Sequence, residues 1–281
     1  MPSSSTSSPT FAVIADIHGN LPALEAVLND LAVVRPDAIY FAGDFVNRGP
    51  QSGAVVERAM VLGLPAISGN HDTWLAAMVH GKHIPGSWED SWWTPQRLAV
   101  GELTPTLVGW IDALPARMRI ELPGAAPVLL VHGSPRSSRE GMGHKLSDEQ
   151  AAEVLSDVEE RAVIAAHIHY PLERRVNGTH VVVIGAVGCP FNRDINAQYG
   201  LFTWDGDDWR FEHRSVPYDH EPLYAAWRES GYLADNSLSA ELMLLEHQTA
   251  RTHYVPFWDW CVAHDLPLTR ANYERFAGDR E

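Results

Sequence analysis

The sequence predicts an α/β protein with a parallel sheet and crossover helices, and three observations carry that expectation. Short apolar runs are each followed at once by a polar cluster and then by a helix-patterned stretch. Three such strand–loop–helix units follow one another from Phe11 onward, the arrangement that builds a parallel sheet. Every polar cluster falls at the C-terminal end of its strand, where open α/β sheets place their ligands.

The first unit is Phe11 to Ala15, a continuous apolar run suited to a buried strand, then Asp16-Ile17-His18-Gly19-Asn20 and a helix over Ala23 to Val34. Asn20 reads as that helix's N-cap, and Pro22 suits a first turn where no N–H is needed. The second unit is Ala38 to Ala42, Gly43-Asp44, and a helix from about Gly53 to Leu62. The third is a strand over Pro65 to Ser68, followed by Gly69-Asn70-His71-Asp72 and further helix. From Trp74 to about Leu122 the pattern changes to helix-like stretches broken by Pro85, Pro95, Pro105 and Pro115 and carrying Trp88, Trp92, Trp93 and Trp110. We read this as a helical insertion whose tryptophans pack it onto the core.

Strand signals return at Val128 to Val131, before His132, and at Ala162 to Ala165, before His167 and His169. Shorter strands follow over Leu172 to Val176, His180 to Ile184, Gly200 to Trp204 and Trp209 to His213. Asn177-Gly178 and Asp205-Gly206 mark hairpin turns between them. From about Tyr218 the chain reads as helical and aromatic, a C-terminal extension that packs on the core or makes a contact in a homo-oligomer. The expected division is a polar, disordered tail over 1–10, a main domain over 11–217 with its insertion at about 74–122, and the extension over 218–281.

Bulk properties narrow the function. A chain of 281 residues with a formal charge of −15 lacks the basic surface that nucleic-acid polymers need. A small phosphorylated substrate stays open if metal cations supply local positive charge. The two cysteines, Cys189 and Cys261, form no CxxC pair, and no apolar stretch is long enough to span a bilayer; a cytoplasmic protein away from membranes is expected.

Asp16, His18, Asp44, Asn70, His132, His167 and His169 each stand in a loop directly after an apolar run. Three are oxygen donors and four are imidazoles, too many for one tetrahedral zinc and suited to two ions of higher coordination number. With nitrogen and oxygen donors and no thiolate, manganese, iron, zinc or cobalt fit better than magnesium or calcium. The two-residue spacing of Asp16 with His18, and of His167 with His169, puts each pair on one side of an extended segment. Two such ions can activate a water and neutralise phosphoryl oxygens.

Taken together, DIHGN (16–20), GDFVNRG (43–49), GNHD (69–72), VHG (131–133) and AHIH (166–169) resemble the calcineurin-like metallophosphoesterases, above all their small bacterial phosphodiesterase-like members. Gly185 to Pro190 is similar to the small-residue loop of those members. The resemblance implies a four-layer α/β/β/α sandwich and a phosphodiesterase or phosphatase. It implies one metal on Asp16, His18, Asp44 and His169, and a second on Asp44, Asn70, His132 and His167. It also implies that His71 contacts the phosphate and protonates the leaving group, a role that suits an imidazole.

Two positions depart from the pattern. Asn47 stands where the protein-phosphatase-like branch has Asp, which weakens a protein-phosphatase reading. Ala166 replaces a glycine before the paired histidines, tolerable where its φ is negative. Arg48 is kept, either as a clamp for a phosphate or as a surface charge on the loop. The Arg48-Gly49-Pro50 context keeps a diadenosine-polyphosphate hydrolase or protein-phosphatase-like enzyme as the alternative within enzymes. A non-catalytic scaffold of the same fold, of the kind in the retromer coat, is the alternative outside them; the complete residue set speaks against it.

Overall fold

The computed structural model describes residues 8–82, 89–234 and 237–278. Residues 1–7 of the expected tail, with Pro85 and Trp88 of the insertion, lie outside the described residues. The N-terminal units are β1 (Thr10–Ile14), α1 (Leu21–Val34), β2 (Ala38–Phe41), α2 (Ser52–Leu62) and α3 (Asn70–Val79). Between α3 and the next strand lie a 3₁₀ turn (Ser91–Trp93), α4 (Thr94–Glu102) and α5 (Pro105–Asp112). Next come β3 (Arg117–Ile120), β4 (Val128–Val131), α6 (Asp148–Val154), β5 (Ala162–Ala165), β6 (Pro171–Val176), β7 (Thr179–Ile184), β8 (Ala197–Trp204) and β9 (Trp209–Val216). The chain closes with α7 (Glu221–Glu229), α8 (Leu238–Thr249), α9 (Tyr254–His264) and α10 (Arg270–Gly278).

The strands form two mixed sheets, ordered β2-β1-β8-β9 and β3-β4-β5-β7-β6. β1 and β2 run parallel while β8 returns antiparallel on the other side of β1. In the second sheet β4, β5 and β7 are parallel, and β3 and β6 close its edges antiparallel. The expected strand over Pro65 to Ser68 contracts to one parallel bridge, Phe41 to Ala66. Pro65 has no N–H to offer a ladder, and the Ser68 N–H turns away to Pro115 O at 2.9 Å. The expected helical insertion also ends early, because Arg117–Ile120 is a strand. Its alternating charges, with Arg117 and Arg119 exposed, are those of a protected sheet edge.

Period-two alternation sorts the side chains of β1 between two cores. Ala12 and Ile14 pack with Leu24 and Val27 of α1 and Val55 and Val56 of α2. Phe11 and Val13 pack against Val128 and Leu130 of β4 and Val182 and Ile184 of β7, between the sheets. The opposite face of the second sheet, through Leu129, Val131 and Val163, is covered by Ala151 and Val154 of α6. In the β6–β7 hairpin Asn177 and Gly178 both have positive φ, 49° and 89°, as a two-residue turn of this hand requires. Trp92 and Trp93 pack with Leu238, Leu242 and Phe257 of the C-terminal helices. Among the described residues no helix is long and apolar enough to cross a membrane.

Asn20 ties three parts together. Its Oδ1 accepts from Ala23 N at 3.1 Å, capping α1, and its Nδ2 donates to Gly188 O at 2.9 Å and to the Tyr218 hydroxyl at 3.0 Å. Asn20→Ala is expected to cost about 1–3 kcal/mol, the cap together with the stranded Gly188 carbonyl, read as a lower denaturation midpoint.

Candidate metal centre

The C-terminal ends of β1, β2, β4 and β5 and the start of α3 meet at one place, and the seven residues expected as ligands converge there. Asp16, His18 and Asp44 are fully buried, and His132 and His169 nearly so. Asn70, His71 and His167 are half-buried. The convergence does not come from extended backbone, as their spacing suggested. Asp16, His18, Asp44, His167 and His169 all have φ between 49° and 69°, a left-handed conformation that costs a non-glycine residue about 1–3 kcal/mol. The kinks turn the intervening Ile17 and Ile168 into apolar cores and the polar neighbours toward each other. Ala166 is not among the residues with positive φ, so its replacement of glycine is unstrained.

Backbone hydrogen bonds hold these loops. Asp16 N donates to Gly43 O at 3.0 Å and His18 N to Asp44 O at 3.0 Å, zipping the first two loops together. Asp72, which the sequence reading passed over, accepts from Asp44 N and Gly69 N at 2.7 Å each and from Phe45 N at 2.8 Å. Its place as an acid in the first turn of α3 was the visible signal; its reach to the second loop was not. Gly69 is required by close approach, since a Cβ there would stand 2.1 Å from Asp44 Oδ1.

At the centre, His132 Nε2 lies 3.2 Å from Asp44 Oδ2 and 3.1 Å from Asn70 Oδ1. His18 Nε2 lies 3.6 Å from Asp44 Oδ2 and 3.2 Å from His169 Nε2, which is 3.4 Å from Asp16 Oδ1. Three of the histidines face inward with a defined nitrogen. Their Nδ1 atoms donate to backbone carbonyls, His18 to Val46 (3.0 Å), His132 to Ala42 (2.7 Å) and His169 to Cys189, which leaves the Nε2 lone pairs for the centre. Asp16 Oδ1 and Asp44 Oδ2 are buried without any hydrogen-bond partner. Orphaned carboxylate oxygens ringed by imidazole nitrogens fit cations and little else. Among the described residues three groupings could hold an ion: Asp16, His18 and His169; Asp44, His132 and His167; and His18, Asp44 and His71.

The electrostatics say the same. Burial alone would push His132 and His169 down, yet the carboxylates beside them, Asp44 and Asp16, lift them to about 9 and about 10. Burial pushes His71 down to about 3 and His167 to about 4. Without metal, protons on His132 and His169 are therefore the cations of the site at pH 7, and a metal must displace them. We expect metal binding at pH 7 to release about two protons per chain and to tighten as pH rises. Calorimetry in buffers of different ionisation enthalpy measures this; metal binding without proton release would contradict it.

Arg48 is neither a loop surface charge nor unpartnered. It is 5% exposed and forms an ion pair with the fully buried Glu246 of α8. The second oxygen of Glu246 accepts from His253 N at 2.8 Å and Tyr254 N at 2.9 Å, at the start of α9. Phe191 and Tyr254 lie against the guanidinium, and Phe191 stacks on His169 with ring centroids 4.5 Å apart. α8 and the start of α9 thus reach the GDFVNRG loop, a contact no local sequence signal announced. A separate groove of about 570 Å³, lined by Gly53, Glu57, Glu102 and Leu107 among others, contains none of the expected ligands.

The family model for the calcineurin-like phosphoesterases matches residues 9–171. A symmetrical bis(5'-nucleosyl)-tetraphosphatase of Acidovorax sp. (strain JS42) is 32% identical over 122 residues, 42% of this chain and 42% of that one. A metallophosphoesterase from Sphaerobacter thermophilus superposes with a TM-score of 0.68 at 26% identity, covering 86% of this chain and 99% of the other. A hypothetical protein from Pyrococcus horikoshii OT3 shares the fold, with a TM-score of 0.71 at 20% identity over 87% of this chain and 99% of that one. The chain belongs to the calcineurin-like phosphoesterases.

Proposed function

We propose that this protein is a metal-dependent phosphoric ester hydrolase acting on a small phosphorylated compound. The observation that carries the reading is the pair of orphaned, buried oxygens, Asp16 Oδ1 and Asp44 Oδ2, among inward-facing imidazole nitrogens. Asp16, His18, Asp44 and His169 would hold one ion, and Asp44, Asn70, His132 and His167 the other, with Asp44 shared. When bound, manganese, iron, zinc or cobalt supplies Lewis acidity toward phosphoryl oxygens and a water of lowered pKa.

The chain's own residues do the rest. Asp72 and the left-handed loops fix the ligands before substrate arrives, so little reorganisation is left for the reaction. His71, its backbone N–H tied to Asp44 Oδ1 at 2.8 Å, stands beside the cluster as the hydrogen-bond donor to the reacting phosphate. Arg48 contributes fixed positive charge, tempered by Glu246. The insertion at about 74–122, within a catalytic domain over 11–217, and the C-terminal helices over 218–281 form the walls that select the substrate.

Small phosphorylated compounds, nucleotides among them, are the first substrate class, and a dinucleoside polyphosphate is the second reading. The tetraphosphatase relative favours the latter, although its match covers well under half of either chain. A metal-loaded screen over phosphomonoesters, phosphodiesters, cyclic nucleotides and dinucleoside polyphosphates tests the proposal. Turnover in one class names the substrate type. No hydrolysis in any class by protein with both metals bound would refute it.

A further inference from the structure

Every inward-facing histidine whose Nδ1 has a backbone partner donates from that atom, but His71 is wired the other way. Its Nδ1 lies 2.8 Å from Asn47 Nδ2. The orientation of the amide is set by its other end, because Asn47 Oδ1 accepts from Arg48 N at 2.8 Å, a bond only an oxygen can accept. The Nδ2 end must therefore face the ring. Two N–H groups cannot point at each other at that distance, so Nδ1 of His71 is the acceptor and carries no hydrogen. Asn47 itself has little freedom: it is 1% exposed, has φ of 67°, and its N–H donates to Ser52 Oγ at 3.0 Å.

We infer that Asn47 is a positioning residue that holds His71 in the Nε2–H form, making its ring a neutral hydrogen-bond donor and not a metal ligand. His18, Asp44 and His71 lie close enough together to hold an ion, but an Nε2 that carries a hydrogen has no lone pair for one. Three histidines turned Nε2 lone pair inward, and one turned Nε2–H, divide ligands from donor within one cluster. Where the ring is neutral, losing the Nε2 hydrogen would leave an imidazolate. His71 therefore stabilises charge on a phosphate oxygen by hydrogen bonding and keeps its hydrogen, while the leaving oxygen takes its proton from water. That consequence rests on the hydrolase reading; the wiring itself does not.

The test is ¹⁵N NMR of the histidine side chains at neutral pH, in metal-free and zinc-loaded full-length protein, with His71 assigned by the signals lost in His71→Gln. The expected result is a pyridine-type shift for Nδ1 and a pyrrole-type shift for Nε2, in both forms. In Asn47→Asp a carboxylate replaces the amide donor, and Nδ1 is expected to move to the pyrrole-type position. A pyrrole-type Nδ1 in the wild-type protein, or a zinc-induced shift of His71 Nε2 to a metal-bound value, overturns the inference. The wild-type spectra decide the matter even if Asn47→Asp does not fold. A protein with the expected shifts that hydrolyses nothing keeps the wiring and refutes the hydrolase reading alone.

Discussion

Asp44→Asn is expected to leave a folded protein that holds less than one metal ion per chain and has lost at least about a thousandfold in hydrolysis, equivalent to roughly 4 kcal/mol in the barrier. Asp44 Oδ1 is committed to the His71 N–H, and an asparagine oxygen can keep that bond, so local structure is preserved. What the amide cannot keep is the anionic Oδ2, buried, unpartnered and 3.2 Å from His132 Nε2. Burial would push this carboxyl up, but the positive charge of His132 beside it outweighs burial and holds it well below the usual carboxylate range, so it meets a cation as a full anion. Metal analysis with circular dichroism and a rate measurement checks the claim. A variant that kept two ions and most of its activity would remove Asp44 from the shared position.

Glu246→Ala is expected to be the most destabilising single change outside the centre, by about 3–5 kcal/mol, with a fall in melting temperature of roughly 10 °C. The loss has two parts. Arg48 is left charged and buried without its counter-ion, and the N–H groups of His253 and Tyr254 lose their acceptor. Glu246→Gln keeps an acceptor for the helix and loses only the charge, so its loss is expected to be smaller. Thermal melts of both variants measure this, with metal content near two per chain in each, because neither touches a proposed ligand. Equal melting of Glu246→Ala and wild type would mean that the pair contributes nothing to the fold.

Much of the centre was legible because its chemistry is local. Each of Asp16, His18, Asp44, Asn70, His132, His167 and His169 follows an apolar run that becomes a strand or a bridge, and a strand end fixes where the next residue lies. β4 and β5 were readable to the residue because four apolar residues between polar loops leave no other assignment. What was hidden depends on contacts between distant segments. The antiparallel pairing of β8 with β1 leaves no mark on either strand alone, and Arg117–Ile120 carries too few apolar residues to stand out from the helices before it. Asp72 and Glu246 look like ordinary helix acids until the loops they hold are in place. Asn47 looked like a weakening of a motif, and only its two amide contacts show a definite polarity.

Metal stoichiometry measured together with activity bears most directly on the central claim, that Asp16, His18, Asp44, Asn70, His132, His167 and His169 form one two-ion centre for phosphoester hydrolysis. Elemental analysis of the purified chain, before and after incubation with manganese, is expected to give about two transition-metal ions per chain and hydrolysis that rises and falls with that number. A stoichiometry near zero after manganese incubation, with no hydrolysis of any phosphoester, would contradict it.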